Sequence, residues 1–160
     1  SNVPGADDSV VGSLGLYQLD QLAKDTHGRR RVHCMSNPCT FQINDVVFGV
    51  TSTDVIFQMS VEETSANLPT GSRIRRIAQH MVQQQSYYPM FPPAKSVNMD
   101  LKQQDGWRMP VKADVLIAPT KLTPFCSPIM GDNNGGDTIV INPGHLTKRT
   151  TGGTYAIMDL

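Results

Sequence analysis

Residues 138–156 read TIVINPGHLTKRTTGGTYA, and the order of apolar run, turn and loop in this stretch decides the predicted fold. The β-branched run IVI at its start is typical of a buried strand. The Asn-Pro-Gly turn at 142–144 ends that strand, because proline lacks a backbone donor and glycine can adopt a positive φ. A basic loop and a pair of glycines follow, and residues 154–158 are predicted to form a second strand. The stretch contains no obvious nucleophile and no obvious set of metal ligands.

The composition of the whole chain bounds its fold and its function. Its 160 residues are enough for one domain with a core, and its 14 basic and 14 acidic side chains cancel. No global field therefore steers the chain to nucleic acid or to a membrane. Three cysteines at irregular spacing argue against a disulfide framework and favour a reducing compartment. With no membrane-spanning apolar run and no signal-peptide pattern, the sequence predicts a soluble intracellular protein.

The chain is predicted to divide near residue 31. Residues 1–31 combine small polar residues, interior glycines and a charged run that ends in three arginines, and they are predicted to be disordered or a linker. Such an arginine run could contact phosphate, although a solvated linker is the favoured interpretation. Order is predicted to begin with a short strand at 32–35, so that residues 32–160 form the folded domain.

Two strands and a hairpin turn are predicted next. Residues 39–43 alternate apolar and polar side chains, which is the period of a half-buried strand. Asn44 and Asp45 are a moderate hairpin signal, and residues 46–50 form the returning strand, which is apolar on both faces. Residues 113–119 are predicted to be another buried strand that ends at a proline.

Two helices are predicted between these strands. Asp54 and the hydroxyls before it offer N-cap oxygens to a short helix that begins at Val55. Ser72 caps the clearest helix of the chain, which runs to about Gln85 and carries one apolar stripe made of Ile74, Ile77, Ala78, Met81 and Val82. The arginines of this helix are expected to lie on its solvated face. The polar or proline- and glycine-rich segments are predicted loops, at 67–71, 95–109 and 124–136.

Several segments, taken together and in order, carry a family resemblance. They read CTFQINDVVFGVTSTD at 39–54, SYYPMFPP at 86–93, ADVLIAP at 113–119, NPGHLTK at 142–148 and GGTY at 152–155. They resemble the family of B subunits of DNA polymerase alpha, and the NPG-x-LTK motif followed by GGT is the most specific of them. The chain departs from that pattern at His145, where an arginine is usual, and at 124–137, which resembles an insertion.

The resemblance implies a fold. That family has an OB domain interleaved with a calcineurin-like phosphoesterase domain. The chain resembles only the C-terminal half of the phosphoesterase domain, and it stops where a strand is expected, which suggests a fragment. The predicted fold class is therefore α/β, a partial calcineurin-like phosphoesterase sandwich of two mixed β-sheets flanked by helices.

The resemblance also implies that the metal site of such a domain is lost. Active phosphoesterases of this fold bind two metal ions through oxygen and imidazole ligands. Here Tyr87 stands where a lone histidine is expected, and Thr120 and Lys121 stand where a Gly-His-x-His motif is expected. A phenol is a poor ligand, and an ammonium repels a cation. The resemblance therefore implies no catalytic residue, no metal and no cofactor.

Three other patterns in the sequence imitate metal sites. The Asp-x-His triplet at 25–27 lies in the charged linker, and the half-motif at 144–147 has a threonine in place of its second histidine. His33, Cys34 and Cys39 lack a paired Cys-x-x-Cys, so buried thiols within strands are favoured over a zinc site. All three patterns are interpreted as chance matches.

The resemblance implies a non-catalytic accessory subunit of DNA polymerase alpha–primase in the nucleus. Its expected partner is the C-terminal domain of the catalytic subunit, with primase subunits reached through the complex, DNA contacted only indirectly or weakly, and no membrane. Tyr87, Tyr88 and Phe91 are candidate partner-binding residues, because aromatic side chains anchor interfaces. Packing of all three inside the domain is the favoured alternative. A metal-dependent phosphoesterase and a B subunit of another replicative polymerase are the alternative functions.

Overall fold

The computed structural model describes residues 24–29, 31, 33, 35–66, 71–95, 97–130, 136–148 and 150–159. The chain divides into two units, Ser1–Asn37 and Pro38–Leu160. Most of the predicted linker, and two residues of the strand expected at 32–35, lie outside the described residues. In the described part of the first unit, the carboxylate of Asp25 accepts hydrogen bonds from the backbone N–H of His27 and from Arg29, which closes a local turn.

The second unit is built on a five-stranded mixed sheet with strand order β1-β2-β3-β5-β4. The strands are β1 (Cys39–Ile43), β2 (Val46–Val50), β3 (Val115–Ile117), β4 (Phe125–Ile129) and β5 (Thr138–Asn142). The three central strands β2, β3 and β5 are parallel, and β1 and β4 are antiparallel edge strands. The carboxyl ends of the three parallel strands therefore meet at one edge of the sheet.

A separate two-stranded hairpin and three helical segments complete the described elements. The hairpin pairs β6 (Thr147–Lys148) with β7 (Thr151–Gly152). The helices are α1 (Val55–Glu62), α2 (Arg73–Gln83) and 3-10 turns at Leu101–Trp107. The α/β class is thus confirmed. Two mixed sheets were predicted. In the described residues the five-stranded sheet is mixed, whereas the second sheet is only the antiparallel pair β6 and β7.

The predicted hairpin between β1 and β2 is confirmed. Ile43 pairs with Val46, and Asn44 takes a positive φ of 52°, a conformation that asparagine tolerates better than most residues. Phe41 and Phe48 lie opposite each other in the register, and their rings stack with centroids 5.4 Å apart. Local turn chemistry and cross-strand packing therefore favour the same register.

Both predicted helices are confirmed, together with their caps. The carboxylate of Asp54 accepts the N–H of Phe57 at 3.1 Å, and the hydroxyl of Ser72 accepts the N–H of Arg75 at 3.4 Å. Helix α2 ends at Gln83, slightly earlier than predicted. The stripe of α2 is buried at Ile77, Ala78, Met81 and Val82, while Ile74 is partly buried against them.

Apolar side chains lie on both faces of the sheet. On one face, Leu116 and Val140, which are neighbours in the register, pack with the apolar stripe of α2 in the main core cluster. On the other face, Phe48, Val115 and Ile141 form a second cluster, because successive side chains of a strand point to opposite faces. The two-sided apolar character that was predicted for residues 46–50 follows from this arrangement.

Three secondary-structure predictions were wrong. Residues 124–136 were predicted as a loop, but β4 forms there; Pro128 is tolerated because β4 is an edge strand, where a missing N–H interrupts no further ladder. Residues 95–109 were also predicted as a loop, but 3-10 turns form within them at Leu101–Trp107. Residues 154–158 were predicted as a strand but are not one, since β7 ends at Gly152 and the exposed segment after Thr154 pairs with no described strand.

Within the described ranges, no helix is long and apolar enough to cross a membrane.

Candidate functional site

Tyr87 lies in the core, beside the β1–β2 hairpin. Its side chain is only 2% exposed, and its hydroxyl donates to the carbonyl oxygen of Cys39 at 2.8 Å and lies 2.6 Å from the hydroxyl oxygen of Thr40. Its backbone N–H donates to the carbonyl of Trp107 at 2.8 Å. Burial raises the pKa of the Tyr87 hydroxyl above its ordinary value. The phenol is therefore a neutral structural link between the segment after α2 and β1.

Tyr88 is also buried, with 8% of its surface exposed. Its hydroxyl donates to Oε1 of Gln58 at 2.8 Å and accepts the backbone N–H of Ala94 at 3.0 Å. Its ring is tilted against that of Trp107, with centroids 6.5 Å apart. These bonds close the loop of residues 88–94, called here the aromatic loop, against α1.

Phe91 is the exposed member of the three candidate partner-binding aromatics. It lies in the middle of the aromatic loop and is 85% exposed. The assignment of Tyr87 and Tyr88 as partner-binding residues is corrected by their burial and by the internal hydrogen bonds of both hydroxyls, so internal packing holds for these two. Phe91 alone of the three has its ring exposed to solvent.

Thr120 and Lys121 follow β3 at the carboxyl edge of the sheet. Thr120 is 3% exposed, and its backbone N–H donates to Oδ1 of Asn142 at 3.0 Å. Lys121 is exposed; its backbone N–H donates to a carboxylate oxygen of Asp54 at 3.1 Å, and its ammonium lies 3.4 Å from the ring centroid of Phe57. Of these two residues, which stand where the resemblance implied a Gly-His-x-His motif, one is thus structural and the other is a surface cation.

Asn142 is the central polar residue of this edge, and its role was missed by sequence analysis. It is 2% exposed, and besides the N–H of Thr120 its Oδ1 accepts the N–H of Gly144 at 3.0 Å. Its Nδ2 donates to the carbonyls of Leu122 and Thr123 at 3.3 and 3.2 Å. The four bonds use the full capacity of the amide and join the loop after β3 to the turn after β5. The sequence did contain a signal for this role, since an asparagine that stands between a buried strand and Pro-Gly is placed to bond to the backbone of the turn.

A cleft of about 740 Å³ opens at this edge of the sheet. We call it the edge cleft; it is lined by residues 121–124, 144, 145, 147 and 151–154. The carboxyl ends of parallel strands are the usual place for ligands in open α/β sheets. The Asn-Pro-Gly-His turn and the Gly-Gly-Thr motif singled out in the sequence therefore lie together in one concave surface.

The residues that the resemblance placed at one lost metal site lie on different elements. Tyr87 contacts β1, whereas Thr120 and Lys121 lie after β3 beside Asn142. In the part of the chain that the structure describes, no group of three or more His, Cys, Asp and Glu residues could hold a metal ion. Of the residues in the three patterns that imitate metal sites, His145 lines the edge cleft. Cys39 lies in β1, where burial raises the pKa of its thiol and favours the protonated form, which is not the form that binds a metal ion.

Residues 3–127 match the family of B subunits of DNA polymerases alpha and epsilon. The chain belongs to this family. The match covers more than half of the chain, and it includes β1, β2, both helices and β3. The resemblance that the sequence motifs indicated is thereby confirmed.

Relatives within this B-subunit family are found in animals and fungi. The chain is 38% identical over 145 residues to the DNA polymerase alpha B subunit of Mus musculus, a match that covers 90% of this chain and 23% of the mouse protein. It is 33% identical over 133 residues to the protein of that name in Schizosaccharomyces pombe, with 79% of this chain and 22% of the yeast protein covered. The chain thus spans about a fifth of the length of these relatives.

Proposed function

We propose that the chain is part of a non-catalytic accessory subunit of DNA polymerase alpha–primase that acts in the nucleus in the initiation of DNA replication. The observation that carries this proposal is membership of the B-subunit family, together with 38% identity to a relative named as the B subunit of DNA polymerase alpha. The partner would be the C-terminal domain of the catalytic subunit, with primase subunits bound through the complex. DNA would be contacted only indirectly or weakly, and neither a membrane nor a cofactor would be involved.

The described sheet would be the C-terminal half of a calcineurin-like phosphoesterase domain that has lost its metal site, and residues 1–31 would be a linker. Two observations support the loss of the site. The Tyr87 hydroxyl is committed to Cys39 and Thr40, and the backbone of Thr120 is held by Asn142. Neither residue offers a free imidazole or carboxylate to a metal ion.

Phe91 would be an anchor for the catalytic subunit. An aromatic ring that is 85% exposed makes little use of its apolar surface within its own domain. The loop that carries it is held at both sides by the Tyr88 hydroxyl, so little order would have to be gained on binding. A rigid exposed aromatic is the kind of residue that dominates protein interfaces.

Co-purification tests the accessory-subunit proposal. The full-length protein that contains this chain would be expressed with the C-terminal domain of the DNA polymerase alpha catalytic subunit and purified through a tag on the latter, in moderate salt. Stable association is expected. Failure to associate would refute the proposal.

A phosphodiesterase assay tests the loss of the metal site. The same full-length protein would be incubated with bis-p-nitrophenyl phosphate and manganese, and no turnover above a buffer control is expected. Metal-dependent turnover that a Thr120→Ala or Lys121→Ala substitution abolishes would favour the alternative, a phosphoesterase.

A further inference from the structure

We propose that the edge cleft is a binding site for a phosphate ester, carried either by a free nucleotide or by a single-stranded nucleic acid, and that it binds this group without a metal ion. This inference does not depend on the proposed scaffolding function. It rests on the position of the cleft, the chemistry of its lining and the way in which its walls are held.

The position of the cleft is that of a ligand site. It opens between the loop after β3 and the turn after β5, two parallel neighbours in the sheet. Its volume of about 740 Å³ lies within the roughly 300–1,000 Å³ that is usual for ligand sites. The volume is therefore in the size range of sites for small ligands such as a mononucleotide.

The lining of the cleft favours an anion over a cation. Its described polar side chains are the ammonium of Lys121, the imidazole of His145 and the hydroxyls of Thr123, Thr147, Thr151 and Thr154. Among the lining residues that the structure describes there is no carboxylate, which a hard cation would require and which would repel a phosphate. Lysine, histidine and threonine carry donors of the kind that phosphate oxygens accept. Thr154 is the exception, because its hydroxyl donates to the carbonyl of Pro143.

One carboxylate lies close to Lys121, and it is already engaged. Asp54 accepts the backbone N–H of Phe57 through one oxygen and that of Lys121 through the other. Its carboxylate therefore caps the N-terminus of α1 and binds the loop after β3. It does not line the cleft.

Two glycines allow the walls of the cleft to approach each other closely. Gly144 has a φ of 77°, and a Cβ atom there would lie 2.8 Å from Cγ of Pro124 and would collide with the hydroxyl of Thr154. A Cβ atom on Gly153 would collide with the carbonyl of His145. The motifs Asn-Pro-Gly-His and Gly-Gly-Thr are therefore packed backbone against backbone.

Hydrogen bonds fix the same wall. The N–H of Gly153 donates to the carbonyl of Leu146 at 2.9 Å, and that of Thr154 donates to the carbonyl of His145 at 2.8 Å. The hydroxyl of Thr154 donates to the carbonyl of Pro143 at 2.7 Å, so its one O–H donor holds the wall and is not offered to a ligand. A wall that is already ordered loses little entropy when a ligand binds.

The charge of the lining predicts a weak dependence on salt. Lys121 is the formal cation among the described lining residues, and its ammonium lies over the ring of Phe57. A phosphate oxygen is a stronger partner for an ammonium than a ring face is, so a ligand can take that group over. One neutralised phosphate gives a slope of log K against log salt of about −0.7 to −0.9, far shallower than that of a protein with 6–10 phosphate contacts.

The test measures binding of the full-length protein to a fluorescein-labelled single-stranded octanucleotide by anisotropy, in the presence of EDTA. Inorganic phosphate, dATP, unlabelled octanucleotide and a glutamate-rich peptide are then added as competitors. We expect the first three to compete and the peptide not to compete. Stronger competition by dATP assigns the site to a nucleotide, and stronger competition by the octanucleotide assigns it to nucleic acid.

Two substitutions separate the cleft from the rest of the surface. Lys121→Gln should weaken binding about tenfold, the usual loss for a hydrogen bond to a charged group. Lys102→Gln removes an exposed lysine from the 3-10 turns, outside the cleft, and should leave affinity within about twofold. Both variants should keep the melting temperature of the parent protein, because both side chains are exposed.

Three results would overturn the proposal. The first is the absence of binding by any phosphate probe in the millimolar range. The second is equal weakening by the Lys121 and Lys102 substitutions, which would indicate a diffuse surface effect. The third is equal competition by the acidic peptide, which would identify the cleft as a site for carboxylates of a protein partner.

Discussion

The hydroxyl oxygen of Tyr87 lies 2.8 Å from the position that a Cβ atom on Gly49 would occupy. Gly49 is buried in β2, and the same phenol bonds to Cys39 and Thr40 of the neighbouring strand β1. The absence of a side chain at position 49 therefore lets the segment after α2 dock on the β1–β2 hairpin. The buried position of the Tyr87 hydroxyl thus depends on a glycine at position 49.

Gly49→Ala should destabilise the domain. An added methyl group would contact the Tyr87 oxygen at 2.8 Å and the side chains of Ala113 and Leu116 at 3.3 Å each. The cost of overpacking is about 1–3 kcal/mol, which outweighs the gain of about 0.5–1 kcal/mol expected when alanine replaces a glycine within a strand. The measurement is the free energy of unfolding of the full-length protein in urea.

A matched control and a double variant make that prediction specific. A Cβ atom on Gly71 meets nothing within 4 Å, so Gly71→Ala should change the free energy of unfolding by less than about 0.5 kcal/mol. Removal of the phenol oxygen by Tyr87→Phe should relieve part of the clash, so the double variant should be more stable than the sum of the single effects. Strict additivity would contradict the proposed contact.

Asn142→Ala should destabilise the carboxyl edge of the sheet. The substitution leaves the N–H groups of Thr120 and Gly144 without their acceptor, and the carbonyls of Leu122 and Thr123 without their donor. Since the loss of a partner costs about 1–3 kcal/mol for a buried group, a total of about 2–4 kcal/mol is expected. Unfolding in urea measures it, with Asn98→Ala at an exposed position as the control; equal effects of the two substitutions would argue against the network.

Much of this fold could be predicted from local sequence. The hairpin around Asn44, the cap at Ser72 and the stripe of α2 each depend on residues within a few positions of one another. The strands β3 and β5 are apolar runs that end at Ala-Pro and Asn-Pro-Gly, and such punctuation is also local. Local propensity and tertiary packing agree in all these elements, which is why the pattern was sufficient.

The rest depended on contacts that are distant in sequence. The Tyr87 hydroxyl bonds to residues 47 and 48 positions earlier, and the pattern SYYP does not show that its tyrosines lie inside. The five residues of β4 are a strand only because β5 pairs with them and the edge tolerates Pro128. The predicted strand at 154–158 failed for the converse reason, since favourable residues do not form a strand without a partner.

Glu63 predicts a pH dependence of stability. Its carboxylate pairs with Arg73 at 2.6 Å and with Arg76 at 2.9 Å, and hydrogen bonds from Arg73 and then Arg76 hold the pKa of Glu63 below its ordinary value. Because the pKa is depressed in the folded state, the stabilisation is present above the unfolded pKa, about 4.3, and is lost as the pH falls through the folded value.

The comparison of Glu63→Gln with the parent protein checks this sign. The variant should melt at a lower temperature at pH 7, and the difference should shrink as the pH is lowered from about 4.5 towards 3. Addition of 1 M salt at pH 7 should also reduce part of the difference, since salt screens the pair with Arg73, whose side chain is 57% exposed. Glu62→Gln, at the exposed neighbouring position, serves as the control; a difference that grows on acidification would contradict the assignment.

Phe91→Ala should weaken association with the catalytic subunit without unfolding the domain. The ring is 85% exposed, so its removal costs the fold little, whereas a central aromatic anchor contributes at least about tenfold to affinity. The measurement is the dissociation constant of the full-length protein for the C-terminal domain of the DNA polymerase alpha catalytic subunit, by biolayer interferometry, with melting temperature as the folding check. Leu101→Ala removes another exposed apolar side chain, which is 57% exposed, from the 3-10 turns and should leave the constant within about twofold. Unchanged affinity for Phe91→Ala would exclude Phe91 as an anchor of the interface, while it would not count against the proposed accessory role.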